Sequence, residues 1–406
     1  MATKTETKKP AGEENRNIYA FFELEKAKVG NVVTVSDKEK VGSKYPHWLP
    51  TWDLSTQHTF EHLPPFKHHD RGLDADPEFK SLTSVEGYSY KPLTPKLGLE
   101  VDGIQLSKLT DAQKNDLALL VEQRGVVVFR NQDFKEQSFD KLKEIVSYFG
   151  PLDVHSNSGS PLNEPNFHLV FKSPDLNVKK DVFYDSLNHI YWHSDVSYEP
   201  QPPGITFLAM LQTGQGGDTQ FLDTIEIYDR LSPLLKEKLE GLQAVHSSVR
   251  QDAGTGARGG LSRKHTVESI HPLVRYHPVL KKKALFINRT FTTRILGLKR
   301  EESDALLQFL FKHEDNCLDA HIRANWDENT VTVWDNRRVL HTATIDMNTP
   351  EIRHAFRVTS LAERPVGSKE DYESWTVEFE NADLLNKDEK LNLPPKDYYD
   401  KYIAGL

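Results

Sequence analysis

A single cysteine, Cys317, in 406 residues excludes an internal disulfide and any cysteine-built zinc module, and it suits a reducing compartment. Any metal the chain holds must therefore sit among histidines and carboxylates. Positive charge is in deficit as well. Sixty acidic against 51 basic side chains leave a net charge of −9, which argues against nucleic acid as a partner, because neutralising phosphates needs a basic surface. No run approaches the roughly 18 uninterrupted apolar residues of a membrane helix. The N-terminal "MATKTETKKPAGEENRN" has no apolar stretch of the kind a secretory signal carries. Nucleotide signatures are missing too: the glycine-rich "GTGARGG" at 254–260 lacks the Lys-Ser/Thr pair of a P-loop and reads as a loop or lid. The run Lys281-Lys282-Lys283 reads as a solvated turn. The expectation is a soluble, cytoplasmic protein with a small-molecule ligand, and with neither nucleic acid nor membrane as a partner.

What is present divides the chain into three parts. Residues 1–85 form an extension whose first 15 or so are polar enough to stay disordered, and whose remainder has aromatic and proline punctuation but no period. A patterned domain over 86–365 follows. Thr110 caps a helix with apolar Leu117, Leu120 and Val121. A short buried strand, "RGVVVFRNQ", comes next, and then a helix striped by Phe139, Leu142, Ile145, Val146 and Phe149 and stopped at Gly150-Pro151. Beyond it strand-like runs dominate ("GITFLAML", "GDTQFLD", "KALFINR", "TVTVWD", "HAFRVTSL"), with helices expected near Ile225–Leu242 and Glu301–His313. Short strands with long insertions predict a mainly β fold with flanking helices, a sandwich or jelly roll rather than an alternating βαβ sheet. The acidic, aromatic tail 366–406 is expected to pack on the core or on a second subunit, which leaves room for a homo-oligomer.

The chemistry starts at "WHSD". On a strand, His193 and Asp195 project to one face and can supply two ligands of one metal. A lone H-x-D is weak, and the bland reading is a polar strand edge. His341 in "VWDNRRVLHTATID" is the best candidate for a third ligand, and two histidines with one carboxylate would leave three open positions, the arrangement of non-haem Fe(II) oxygenases. Zinc hydrolases also use such ligands, with one position kept for water. Arg353 and Arg357 share a strand face in "RHAFRV"; alone they read as surface ion pairs, but converging on an enclosed site they imply two anions. Thr219, where a strand begins after "GQGGD", offers a hydroxyl donor.

In order and context these pieces change meaning. From about Ser84 to Ala362 the chain resembles the taurine dioxygenase family of Fe(II)/2-oxoglutarate oxygenases, which includes 2,4-dichlorophenoxyacetate dioxygenase and the sulfonate and alkylsulfate dioxygenases. The motifs that carry the resemblance are "LTPKLGLEVDGIQLSKL", "RGVVVFRNQ", "WHSDVSYEPQPPG", "GGDT", "ALFINRTFTTRI", "VWDNRRVLHTA" and "RHAFRVT". The resemblance implies a double-stranded β-helix (jelly roll, cupin-like) core. It implies that His193, Asp195 and His341 ligate Fe(II), and that Thr219 and Arg353 hold the distal carboxylate of 2-oxoglutarate. It implies further that Arg357 binds a sulfonate, with His155 and Phe291 in the substrate pocket. The chain departs from the taurine enzymes at His189, where they have an asparagine, and at Ser158, where they have a tyrosine. Both positions border the substrate amine, which points away from taurine itself and toward another organic sulfonate or a sulfate ester. The eukaryotic sulfonate dioxygenases of the family also carry an N-terminal extension.

The implied reaction consumes 2-oxoglutarate and O2, hydroxylates the carbon next to sulfur, and releases sulfite and an aldehyde with succinate and CO2, freeing sulfur for assimilation. Three alternatives stand beside it. The same chemistry could act on an alkylsulfate, a carboxylate or another oxyanion, purine-like molecules included. The chain could be a non-catalytic 2-oxoglutarate-binding barrel, or a zinc hydrolase.

Overall fold

The computed structural model describes residues 16–17, 22–27, 30–172, 191–256, 261–344, 346–347 and 351–377. With strands numbered in chain order, the largest sheet runs β5 (Ser89–Pro92), β6 (Leu99–Asp102), β7 (Val126–Phe129), β17 (Val331–Asp335), β9 (Pro203–Gln212), β19 (Arg353–Leu361) and β8 (Phe167–Lys172). Its pairs are antiparallel except β6 with β7. Three smaller sets complete the core. They are β16 (His321–Ala324), β10 (Thr219–Asp223) and β18 (Val339–Ala343); then β12 (Glu268–Pro272), β11 (Gln243–Ser247) and β15 (Thr292–Ile295); and the hairpin of β13 (Val274–His277) and β14 (Lys282–Leu285).

Period-two alternation explains how the layers stack. Val126 and Val128, Leu208 and Met210, Trp334 and Ala355 meet Phe221, Ile322, Ala324 and Val339 of the β16-β10-β18 sheet, so the two sheets face each other across one apolar layer. The intervening residues Val127, Phe129, Phe207, Ala209, Val331, Val333, Phe356 and Val358 point the other way. They pack under the helices Asp111–Arg124 and Phe139–Ser147. Thr110 caps the first of these through a reciprocal capping box with Gln113, as its sequence predicts. A third apolar cluster lies under the helix Arg300–Asn316. Among the described residues, no helix is long and apolar enough to cross a membrane.

Three local expectations change. The helix expected over Ile225–Leu242 is two helices, Thr224–Asp229 and Pro233–Leu239, because Ser232 caps a new start and Pro233 lacks the N–H a continuous helix needs. The glycines Gly254 and Gly256 of the expected loop finish the helix Val249–Gly256, while 257–260 lie outside the described residues. The lysine run is partly strand, Lys282 and Lys283 belonging to β14, with Lys283 paired to Glu240 at 2.7 Å.

The extension that looked aperiodic contributes a four-stranded sheet of β1 (Arg16–Asn17), β2 (Phe22–Lys26), β3 (Val32–Val35) and β4 (Thr51–Asp53). Trp48 stacks on Phe356 of the main sheet at 4.1 Å, and Trp52 packs with Phe171, Leu261 and Ile352. Residues 378–406, most of the tail, lie outside the described residues.

Candidate active site

His341 sits in the middle of β18, and its neighbour is the chain just before "SD". The amide of His193 donates to the carbonyl of His341, and the reverse bond closes the pair. His193 and Asp195 are not on a strand, as their spacing suggested. The bridge to His341 holds the first, and a turn carries the second. Asn336 holds that turn: its side-chain oxygen accepts from the Asp195 amide at 3.3 Å and its carbonyl accepts from the Ser194 hydroxyl at 2.9 Å. The two imidazoles end with centroids 4.2 Å apart. Asp195 Oδ1 is 3.8 Å from His193 Nε2 and 3.6 Å from His341 Nε2, and one ligand atom from each of the three lies within 4.8 Å of the others.

The protonation states suit a metal. Burial lowers His193 below its ordinary value and takes His341 down to about 3, so both rings are neutral with a free lone pair. The Tyr191 carbonyl accepts from His193 Nδ1 at 2.9 Å, which leaves Nε2 as the donor atom to a metal. Burial alone would raise Asp195, but opposing charge, that of Arg357 foremost, leaves it below its ordinary value and ionised. Asp195 Oδ2 is buried without a partner. A second trio, His68, Asp70 and Glu363, meets the same distance criterion, yet Arg337 already donates to both of its carboxylates.

β19 delivers two guanidinium groups to the same side as Ala355. Arg357 donates through Nη1 to Asp195 Oδ1 at 2.6 Å, and its Nε is buried and unpaired. Arg353 is buried and, among the described residues, has no hydrogen-bonding partner for its guanidinium; burial lowers it to about 10. Gly217 is what admits it, since a Cβ there would stand 3.0 Å from Arg353 Cδ and 2.8 Å from Met347 Sδ, at a φ of +68°. Thr219 opens β10 two residues later and is buried. The loop between is tied down by Asp346, which accepts from the Gly217 amide at 3.1 Å and from Arg323 at 2.6 Å.

His155 lies in the loop before β8, and burial together with Arg357 lowers it to about 3. Phe291 packs edge-on to His193 at 6.3 Å and to Tyr198 at 5.0 Å. His189 lies outside the described residues.

The model of the family described as "Taurine catabolism dioxygenase TauD, TfdA family" matches residues 89–359, two thirds of the chain. The chain belongs to this family. An "Alpha-ketoglutarate-dependent sulfonate dioxygenase" of Saccharomyces cerevisiae is 48% identical over 80% of this chain and 79% of its own length. The "Alpha-ketoglutarate-dependent dioxygenase cnsM" of Penicillium expansum is 40% identical, over 81% of this chain and 92% of its own. Among solved structures, a taurine dioxygenase from Burkholderia xenovorans superposes with a TM-score of 0.55 at 26% identity, covering 69% of this chain and 93% of that one. This protein is accordingly a 2-oxoglutarate-dependent dioxygenase, mainly sheet with helices outside, with a small molecule as substrate.

The candidate site is bordered by groups that the motifs did not reveal. His168 lies across from Arg357 on β8, with Nδ1 3.4 Å from Arg357 Nη2. Lys264 donates to Asp153 at 2.9 Å and to Glu199 at 3.0 Å behind the His155 loop. Neither pairing has a local spacing signal; both join segments far apart in the chain.

Proposed function

We propose that this protein is an Fe(II)- and 2-oxoglutarate-dependent dioxygenase that hydroxylates the carbon next to the sulfur of an organic sulfonate. The observation that carries the reading is Arg357, a guanidinium with an open, buried Nε set against a carboxylate of the candidate metal trio. An anion received there would bring its neighbouring carbon close to the residues that would hold the metal. The yeast relative's name, a sulfonate dioxygenase, supports the same substrate class.

His193, Asp195 and His341 would hold Fe(II), which supplies, with 2-oxoglutarate and O2, the oxidising chemistry. Arg353 and Thr219 would take the distal carboxylate of 2-oxoglutarate, and the buried, unpartnered guanidinium gives that anion a strong reason to bind. Arg357 and His155 would orient the sulfonate, Phe291 would wall the pocket and exclude water, and His189 would border the substrate's far end. The protein's contribution is placement. Once hydroxylated, the carbon carries both OH and sulfonate; the C–S bond breaks, the hydroxyl proton is lost, and an aldehyde and sulfite leave with succinate and CO2. The facing sheets are read as a double-stranded β-helix, with 86–365 as the catalytic domain, 1–85 as an extension and 366–406 as a tail.

Purified protein with Fe(II), ascorbate and 2-oxoglutarate, offered a panel of sulfonates, sulfate esters and carboxylates, should form succinate and sulfite in equal amounts with a sulfonate. Sulfate in place of sulfite would make a sulfate ester the substrate. No substrate-stimulated succinate with any sulfonate or sulfate ester would overturn the reading.

A further inference from the structure

His168 faces Arg357 in direct register between β8 and β19. Its Nδ1 lies 3.4 Å from Arg357 Nη2. A guanidinium has donors only, so Nδ1 is the unprotonated nitrogen and the ring carries its proton on Nε2. His155 reaches the same tautomer by another route. Its Nδ1 accepts from the backbone amides of Asn157 and Ser158, each at 3.2 Å, which again places the proton on Nε2. The two rings pack edge to face, with centroids 4.6 Å apart and planes at 78°. Burial, reinforced by the charge of Arg357, keeps both of them neutral. Each is enclosed by the fold yet retains some accessible surface, as do Arg357 and His193.

The wall beside Asp195 therefore offers a guanidinium and two imidazole N–H groups with fixed tautomers. Arg357 is itself held from both sides, Nη1 by Asp195 and Nη2 by His168. We propose that His168 is a specificity-determining residue, the third donor to the substrate's head group, and that with Arg357 and His155 it favours a tetrahedral head with three terminal oxygens over a planar carboxylate. A carboxylate can satisfy the guanidinium fork with its two oxygens but leaves an imidazole N–H buried and unmet, and an unmet buried donor is what gives polar sites their discrimination. The inference rests on the oxyanion reading above and deepens it.

The test takes the sulfonate with the highest kcat/KM in the panel and the carboxylate that replaces its head group. His168→Leu should raise KM for the sulfonate about 10- to 100-fold and the carboxylate KM by a clearly smaller factor, narrowing the preference for the sulfonate about tenfold or more. His168→Gln, whose amide can donate, should recover most of the loss. His168→Asn, polar but shorter, serves if the leucine variant does not fold. Retained 2-oxoglutarate-induced thermal stabilisation reports that the site is intact. If the two KM values move together, if the sulfonate KM stays within about threefold of wild type, or if glutamine in an intact site recovers nothing, the inference falls. Wild-type protein that prefers the carboxylate and releases no sulfite would overturn the functional reading and the inference together. Sulfite release with unchanged discrimination in the leucine variant would overturn the inference alone.

Discussion

His193 and His341 hold each other by the backbone: the His193 amide reaches the His341 carbonyl at 3.1 Å and the His341 amide reaches the His193 carbonyl at 2.8 Å. The spacing of the two imidazoles is thus a property of main chain and not of side-chain packing. The side chains can be removed without removing the frame.

His193→Ala and His341→Ala should therefore keep the thermal unfolding midpoint of the metal-free protein within a few degrees. Iron affinity should fall by more than the about 100-fold that loss of a mere supporting group can cost. Anaerobic titration with Fe(II) and 2-oxoglutarate, followed by visible absorption, measures this; retained iron binding in either variant would remove that histidine from the ligand set.

Arg353 is a buried cation without a hydrogen-bonding partner among the described residues, which is costly in the absence of a ligand. Arg353→Leu should raise the unfolding midpoint of the ligand-free protein, abolish the midpoint rise on adding 2-oxoglutarate, and weaken 2-oxoglutarate binding by about 100-fold or more. Calorimetric titration and thermal scans decide it. A variant less stable than wild type without ligand, with 2-oxoglutarate affinity retained, would contradict the assignment.

How legible this was from the sequence varies by residue. His193, Asp195, His341, Arg353 and Arg357 stood out because their types, order and spacing are unusual together. Even so, the strand inferred under H-x-D was wrong, since a two-residue spacing is equally well served by a turn braced by Asn336. His168 was invisible because its meaning arises from pairing β8 with β19, which no window of sequence contains. The N-terminal sheet went unread for a related cause: its strands are short, half-polar and paired with one another, so the alternation never runs long enough to register. Ser232 and Pro233, in contrast, are a local helix-start signal that lies within the single helix expected over Ile225–Leu242.

Arg337 is buried and donates to Asp70, Glu122, Asp335 and Glu363, with Glu122 at 2.9 Å and Asp335 at 2.9 Å. Arg337→Met leaves these buried carboxylates without their shared cation and should cost about 3–5 kcal/mol of stability. Chemical denaturation would read this as a lower midpoint; an unchanged midpoint would mean that protonation of the carboxylates compensates fully.

His62 pairs through Nδ1 with Glu199 Oε2 at 2.7 Å. Burial opposes the charged ring, yet the bond to Glu199 prevails and raises its pKa above the ordinary 6.5. A raised pKa means that the contribution is complete below about pH 6.5 and disappears as pH climbs through the raised value. His62→Gln should thus destabilise the protein more at pH 5.5 than at pH 8.5. Equal losses at the two pH values would show that the pair acts as a neutral hydrogen bond.

The Arg337 cluster also bears on where this protein can be cut. The family resemblance spans 89–359, but Asp70 lies before that span and Glu363 after it, and both grip an arginine inside. The edge of shared ancestry and the edge of the cooperative unit do not coincide. A fragment trimmed to the family-matched region would contain every proposed ligand to iron and co-substrate and still lack two of the four anchors that let its own motif arginine be buried.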